Sequence, residues 1–125
     1  MARFCSLFSS SSGNATYIGS SKTGILIDAG VSAKRLREAL LAREIDPASL
    51  SAIFVTHEHS DHIKGIRVLA SSFKIPVFAT QGTLRGMEDA GVLSGKFPVF
   101  ELSENRGGKF KGNTYTDTAY YIADI

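Results

Sequence analysis

Ile53-Phe54-Val55-Thr56-His57-Glu58-His59-Ser60-Asp61-His62 is the stretch on which the fold of this chain turns. Its opening continues an apolar run, Ala52 to Val55, of the kind found in strands buried on both faces. Its remainder holds all three histidines of the chain within six residues, together with Asp61. On a helix, side chains two residues apart diverge, whereas in extended chain they share a side. His57 and His59 can therefore meet on one cation only at a strand end or in a loop, and the strand in front of them provides one. Asp61 and His62 fall where the chain turns into a helix, and can face a second cation beside the first. Gly65, three residues further on, lets that turn pack closely. A histidine-rich surface loop, or histidines satisfied by hydrogen bonds, is the alternative reading. This spacing behind this strand favours metal binding.

Upstream, Arg3 to Phe8 and Thr16 to Gly19 read as strands with a loop of small residues, Ser9 to Asn14, between them. Gly24 to Asp28 is a third strand after a turn at Gly19-Ser20-Ser21-Lys22, so the opening is a β-meander. Ser32 caps a helix running to about Arg43, because Leu36, Ala39 and Leu40 share a face that Lys34, Arg35, Arg37 and Glu38 avoid. Asp46-Pro47-Ala48-Ser49-Leu50 is a short capped turn leading into the buried strand. Downstream the pattern gives a helix from His62 or Ile63 to Phe73, a strand over 76–79, a helix around Thr83 to Ala90, and a strand from Val99 to Leu102. This order predicts an α/β layered domain over residues 1–102, a mixed β-sheet covered by helices. Residues 103–125 read as a Gly-rich link, a hairpin or a poorly ordered tail, ending in a short strand at Ala119 to Ile122.

With 125 residues, 43% hydrophobic and 21% charged, the chain is long and apolar enough to bury a core, which argues against disorder. A net charge of +2 permits an anionic substrate without demanding a nucleic acid. The single cysteine, Cys5, excludes an intrachain disulfide and reads as a core residue in a reducing compartment. The first apolar stretch breaks at Ser9, too early for a secretory segment, and no run approaches the roughly 20 residues that span a bilayer. A soluble, cytoplasmic protein is expected.

The run His57-x-His59-x-Asp61-His62-x-x-Gly65 resembles the defining motif of the metallo-β-lactamase-fold hydrolases, and Ile25-Leu26-Ile27-Asp28-Ala29-Gly30 looks like the strand and aspartate that precede it. Together with Ser11-Ser12-Gly13-Asn14, they are most similar to the small bacterial WalJ-type subgroup of exonuclease-like phosphodiesterases. The resemblance fades after Leu102. It implies the N-terminal half of an αββα sandwich, apparently truncated, with residues 103–125 a remnant of the second half.

By that resemblance His57 and His59 bind the first of two divalent ions, and Asp61 and His62 the second, with Asp61 also catalytic by holding the attacking hydroxide. Asp28 would fix the ligand loop, the alternative being a plain strand-end cap. Thr116-Asp117-Thr118 resembles a later motif whose aspartate bridges both metals, which makes Asp117 a fifth candidate ligand, against an ordinary turn aspartate. Imidazole with carboxylate suits zinc, and manganese or iron accept similar ligands. The family normally adds two further histidines, and none follows His62 here. With Asp117 bridging, each metal would still have three protein ligands, enough for a catalytic zinc.

Three functions follow. A metal-dependent phosphodiesterase or nuclease would act on nucleic acid or another phosphodiester. A thioester or lactone hydrolase would share the fold. A catalytically inactive metal-binding fragment would work only with a partner. An apolar sheet face left bare by the short second half would call for a homodimer or a complementing chain. Among lesser candidates, Ser9 to Asn14 could contact a phosphate or be a plain turn. Lys34, Arg35 and Arg37 form a solvated face, and Arg106, Lys109 and Lys111 touch a nucleic-acid backbone or solubilise a tail. Phe54, Phe73, Phe78, Phe97 and Phe100 read as core, not as a base-stacking platform.

Overall fold

The computed structural model describes residues 3–21 and 23–102, and the backbone of 108–110 and 113–115. Strand β1 (Arg3–Ser10) pairs antiparallel with β2 (Gly13–Gly19), and β2 with β3 (Gly24–Ile27). The segment expected as a loop over Ser9 to Asn14 is a tight hairpin instead. Ser9 pairs with Asn14 and Ser10 with Gly13, so only Ser11 and Ser12 turn, and a bulge between Ser6 and Phe8 adjusts the register on the way in. Along β2 every second residue is buried, with Ala15 and Tyr17 facing the core, as a strand with one covered face requires.

From β3 onward the strands run parallel. β3 pairs with β4 (Leu50–Phe54), β4 with β5 (Val77–Thr80) and β5 with β6 (Val99–Leu102), completing a six-stranded mixed sheet in the order β1-β2-β3-β4-β5-β6. Parallel neighbours need crossovers, and helices supply them. Helix α1 (Ala33–Leu41) is capped by Ser32, whose Oγ accepts from Arg35 N, and buries Ala33, Leu36 and Leu40. It stops short of the expected Arg43 because Glu44 adopts a left-handed φ of 60° and Ile45 N returns to Leu40 O.

The helix expected from His62 to Phe73 is two helices, α2 (Ser60–Ile63) and α3 (Ile66–Phe73). The N–H of Gly65 donates to Ala29 O at 2.8 Å, outside the helix, and an ideal Cβ on Gly65 would fall 2.1 Å from Val31 O. The close approach of the β3–α1 connection interrupts the helical ladder there. Helix α4 (Gln81–Asp89) begins two residues before the expected Thr83, and a 3-10 turn at Val92–Ser94, unread in the sequence, follows Gly91 at φ 76°.

The main core lies between the sheet and its helices, where Leu26, Leu36, Leu40, Ile53, Ile66, Leu69 and Leu84 are fully buried. Cys5, Phe73 and Phe97 are half-buried at its margin. On the opposite face Phe54, Phe78 and Phe100 stack at 5.0 Å spacings over Ile25 and Ala52, so these phenylalanines serve as packing. A trough lined by Ile18, Ile25, Ile27, Phe54, Val55 and Leu102 runs along that face.

Within the Gly-rich segment, strands β7 (Gly108–Phe110) and β8 (Asn113–Tyr115) pair antiparallel. Asp117 and the strand expected at Ala119 to Ile122 lie outside the described residues. Among the described residues, no helix is long and apolar enough to cross a membrane.

Candidate metal centre

The site sits at the C-terminal ends of β3 and β4. Val55 is still held in the sheet, its N–H on Phe78 O, and Thr56 is the first residue to leave it. Beside it, past the end of β3, Asp28 takes a φ of 65°, a left-handed conformation that aspartate tolerates better than most residues, and its N–H bonds Phe54 O at 2.7 Å. That turn aims a buried carboxylate at the histidine loop. Oδ1 accepts from Thr56 N at 2.8 Å, and Oδ2 from Thr56 Oγ1 at 2.7 Å and His62 Nδ1 at 2.6 Å. Asp28 is thus a strand-end cap and an orienter of His62 at once; the two readings of the sequence coincide.

A carboxylate only accepts, so the proton between it and His62 is on Nδ1, and in the neutral ring Nε2 is left with its lone pair. Thr56 relays the same constraint. Its hydroxyl hydrogen goes to Asp28, so the oxygen, 3.0 Å from His57 Nδ1, accepts from that ring and leaves His57 Nε2 as its open nitrogen.

His57 and His59 lie on one side of extended chain, their rings edge to face at 4.7 Å, and the His57 and His62 rings are 3.7 Å apart. Glu58, between the first two, points the other way onto α4, where an ideal Cβ on Gly86 would fall 2.4 Å from its Cγ. Asp61 Oδ2 stands 3.4 Å from His62 Nε2. The β1–β2 hairpin closes the site from the side. Gly30 N donates to Asn14 O and Ala29 N to His62 O, each at 2.9 Å, and Gly30 lies so near α2 that an ideal Cβ would fall 1.7 Å from Asp61 O. The Asn14 carboxamide donates to Asp61 Oδ2 at 3.1 Å.

Four of the five candidate ligands, His57, His59, Asp61 and His62, are therefore brought together; Asp117 is outside the described residues. Among the described residues, no three His, Cys, Asp or Glu side chains form a set that could hold one metal ion. Two contributors were not read from the sequence as acting on the ligands: Thr56, and Asn14, whose loop was considered only for a phosphate contact. Thr56 carried a usable signal, a hydroxyl between a buried strand and the first histidine. Asn14 did not, because its side chain reaches Asp61 across 47 residues of sequence.

A mixed sheet with helical crossovers and a histidine–aspartate loop at its strand ends defines a family of metal-dependent proteins. The profile of the Metallo-beta-lactamase superfamily matches residues 10–118, and the chain belongs to that superfamily, whose fold implies divalent metal ions. Among curated proteins, it is 37% identical over 108 residues to "Exodeoxyribonuclease WalJ" of Streptococcus pneumoniae serotype 2, covering 83% of this chain and 40% of that protein. It is 44% identical over 96 residues to "Exodeoxyribonuclease YycJ" of Bacillus anthracis, covering 77% and 35%. The chain thus spans 40% or less of the length of these relatives. Among solved structures, the metallo-beta-lactamase with a HARLDQ motif from Cronobacter sakazakii shares the fold at a TM-score of 0.63 and 24% identity, over 81% of this chain and 45% of that one.

Proposed function

We propose that the chain contributes to a dinuclear, metal-dependent phosphodiester hydrolase of nuclease type, with His57 and His59 holding one cation and Asp61 and His62 the other. The observation that carries the metal reading is the 3.4 Å between Asp61 Oδ2 and His62 Nε2. Two donors about 2.0–2.1 Å from one cation at a tetrahedral angle stand about 3.3–3.4 Å apart. Asp28 supports it by leaving His62 Nε2 as the free lone pair. Imidazole with carboxylate favours zinc, with manganese or iron compatible. Asp117 is the proposed bridging ligand.

When bound, the two cations supply Lewis acidity and a water acidic enough to attack near neutral pH. The residues divide the remaining work. Asp28, its side chain 7% exposed, is committed to three donors and orients. Asp61, 28% exposed, is the carboxylate placed to accept a proton from the attacking water. Thr56 holds the His57 ring through its oxygen. The substrate assignment rests on the exodeoxyribonuclease relatives, and the net charge of +2 is compatible with it. A single cysteine supports a cytoplasmic setting.

A second reading, a metal-binding unit inactive until another chain completes it, is favoured because no three His, Cys, Asp or Glu side chains among the described residues form a set that could hold one ion. The apolar trough supports the same dependence, since a homodimer or complementing chain would cover it. The test is turnover of end-labelled DNA with manganese or zinc, run beside a thioester substrate. DNA shortening abolished by Asp61→Asn supports the nuclease reading. Thioester turnover alone redirects it to another hydrolase of the fold, and metal uptake with neither activity supports the second reading.

A further inference from the structure

We infer that Asn14 is the positioning residue of the Asp61–His62 pair, its carboxamide fixing Asp61 Oδ2 at the distance from His62 Nε2 that one cation spans. This rests on the reading of those two residues as a ligand pair. Four atoms surround Asn14 Nδ2: Ser10 O at 2.9 Å, Asp61 Oδ2 at 3.1 Å, Asp61 O at 3.3 Å and His62 Nε2 at 3.4 Å. Three are oxygens without a hydrogen, and the fourth is the lone-pair nitrogen of a ring whose Nδ1 proton goes to Asp28. All are acceptors, so the amide can face them only through its nitrogen.

An NH2 group has two hydrogens, and the two shortest contacts, Ser10 O and Asp61 Oδ2, take them. The first anchors Asn14 to the β1–β2 hairpin, and its own backbone carbonyl accepts from Gly30 N. Asp61 sits in a helix of only four residues, too short to hold a carboxylate by itself; through Asn14 it is tied to the six-stranded sheet. Asn14 Nδ2, Asp61 Oδ2 and His62 Nε2 form a near-equilateral triangle with sides of 3.1, 3.4 and 3.4 Å. A carboxylate oxygen has more than one lone pair, so Oδ2 can accept from Asn14 and still ligate. The long contact to His62 Nε2 is the one a cation would replace. With its hydrogens engaged inward, Asn14 acts through Asp61 and not on a substrate phosphate, unlike the phosphate contact considered for Ser9 to Asn14.

The test is a titration of cobalt(II) chloride into the metal-free full chain, followed by visible absorption, for wild type, Asn14→Ala and Asn14→Ser. His59→Ala identifies the signal of the first pair. The expected result is a loss of about 10–100-fold in affinity at the Asp61–His62 pair in both Asn14 variants. The His57–His59 pair stays unchanged, and the melting temperature of the metal-free protein falls only by what the lost Asn14 hydrogen bonds contribute. Asn14→Ser, whose hydroxyl is too short to reach Asp61, carries the test if the alanine variant does not fold. Superimposable curves for wild type and variants overturn the inference and leave the ligand pair standing. Equal weakening of both pairs with a lower melting temperature makes Asn14 a general brace and also overturns it. A wild type that takes up no cobalt overturns the ligand-pair reading, and the inference with it.

Discussion

Asp28→Asn keeps the volume of the side chain and a residue type that tolerates the φ of 65°, but it changes which atoms can donate. If the new amide oxygen stays on Thr56 N, the NH2 group faces Thr56 Oγ1 and His62 Nδ1, where Oδ2 now accepts at 2.7 and 2.6 Å. His62 Nδ1 must then become an acceptor, and the ring proton moves to Nε2, the atom 3.4 Å from Asp61 Oδ2. The tautomer that leaves a lone pair for a cation is lost. Turning the amide over preserves the tautomer but sets NH2 against the Thr56 N–H, donor against donor, so the site loses either the tautomer or a hydrogen bond. A hydrogen bond to a charged group contributes about 1.5–3 kcal/mol. Thr56 is exposed and its groups can turn to water, which holds the net loss near 2 kcal/mol. For a chain of this size that is a fall of roughly 5–10 °C in Tm. Affinity for zinc at the Asp61–His62 pair should drop about 10–100-fold. Thermal melts of the metal-free protein give the first number, and competition against a chromogenic chelator gives the second. An asparagine variant that melts with wild type and binds zinc equally well would refute the role of Asp28 as the orienter of His62.

Other consequences follow from the same contacts. Gly30→Ala places a methyl where Asp61 O lies 1.7 Å away, so α2 must shift; a loss of about 1–3 kcal/mol together with metal uptake is expected, read by melts and elemental analysis. Phe78→Ala empties the middle of the three-ring stack and should cost about 3–5 kcal/mol, seen as a fall in the denaturation midpoint. Chelator should leave the far-UV circular dichroism unchanged, because an apolar core between sheet and helices carries the fold, and lower Tm only by the lost binding energy, about 2.7 kcal/mol at a hundredfold excess over Kd. Unfolding on chelation would instead make the metals part of the fold.

Most of the fold was legible because its signals are local. The apolar run into His57, the Ser32 cap and the alternation of strand and helix patterns each depend on a few neighbouring residues. The discrepancies arise where a distant contact overrides the local pattern. Nothing between His62 and Phe73 announces a break; the helix divides because Ala29 and Val31 arrive at Gly65 from another part of the chain. Ser9 to Asn14 has loop composition, yet register with β2 makes most of it strand. In the site, the paired spacing of His57 and His59 and the adjacency of Asp61 and His62 are sequence facts. The aim of the ligand side chains is not, since His62 bonds Asp28 and Asp61 bonds Asn14, each more than 30 residues away. Side chains that aim ligands are chosen by the fold, and only a motif already matched to it, as with Asp28, makes them readable.

The most direct test of the metal centre is the number of metal ions per chain, measured by elemental analysis on protein purified without chelator, for wild type beside His59→Ala. A dinuclear site requires about two ions in the wild type and a sharp fall in the variant. No metal in the wild type, or the same content in both proteins, would contradict it.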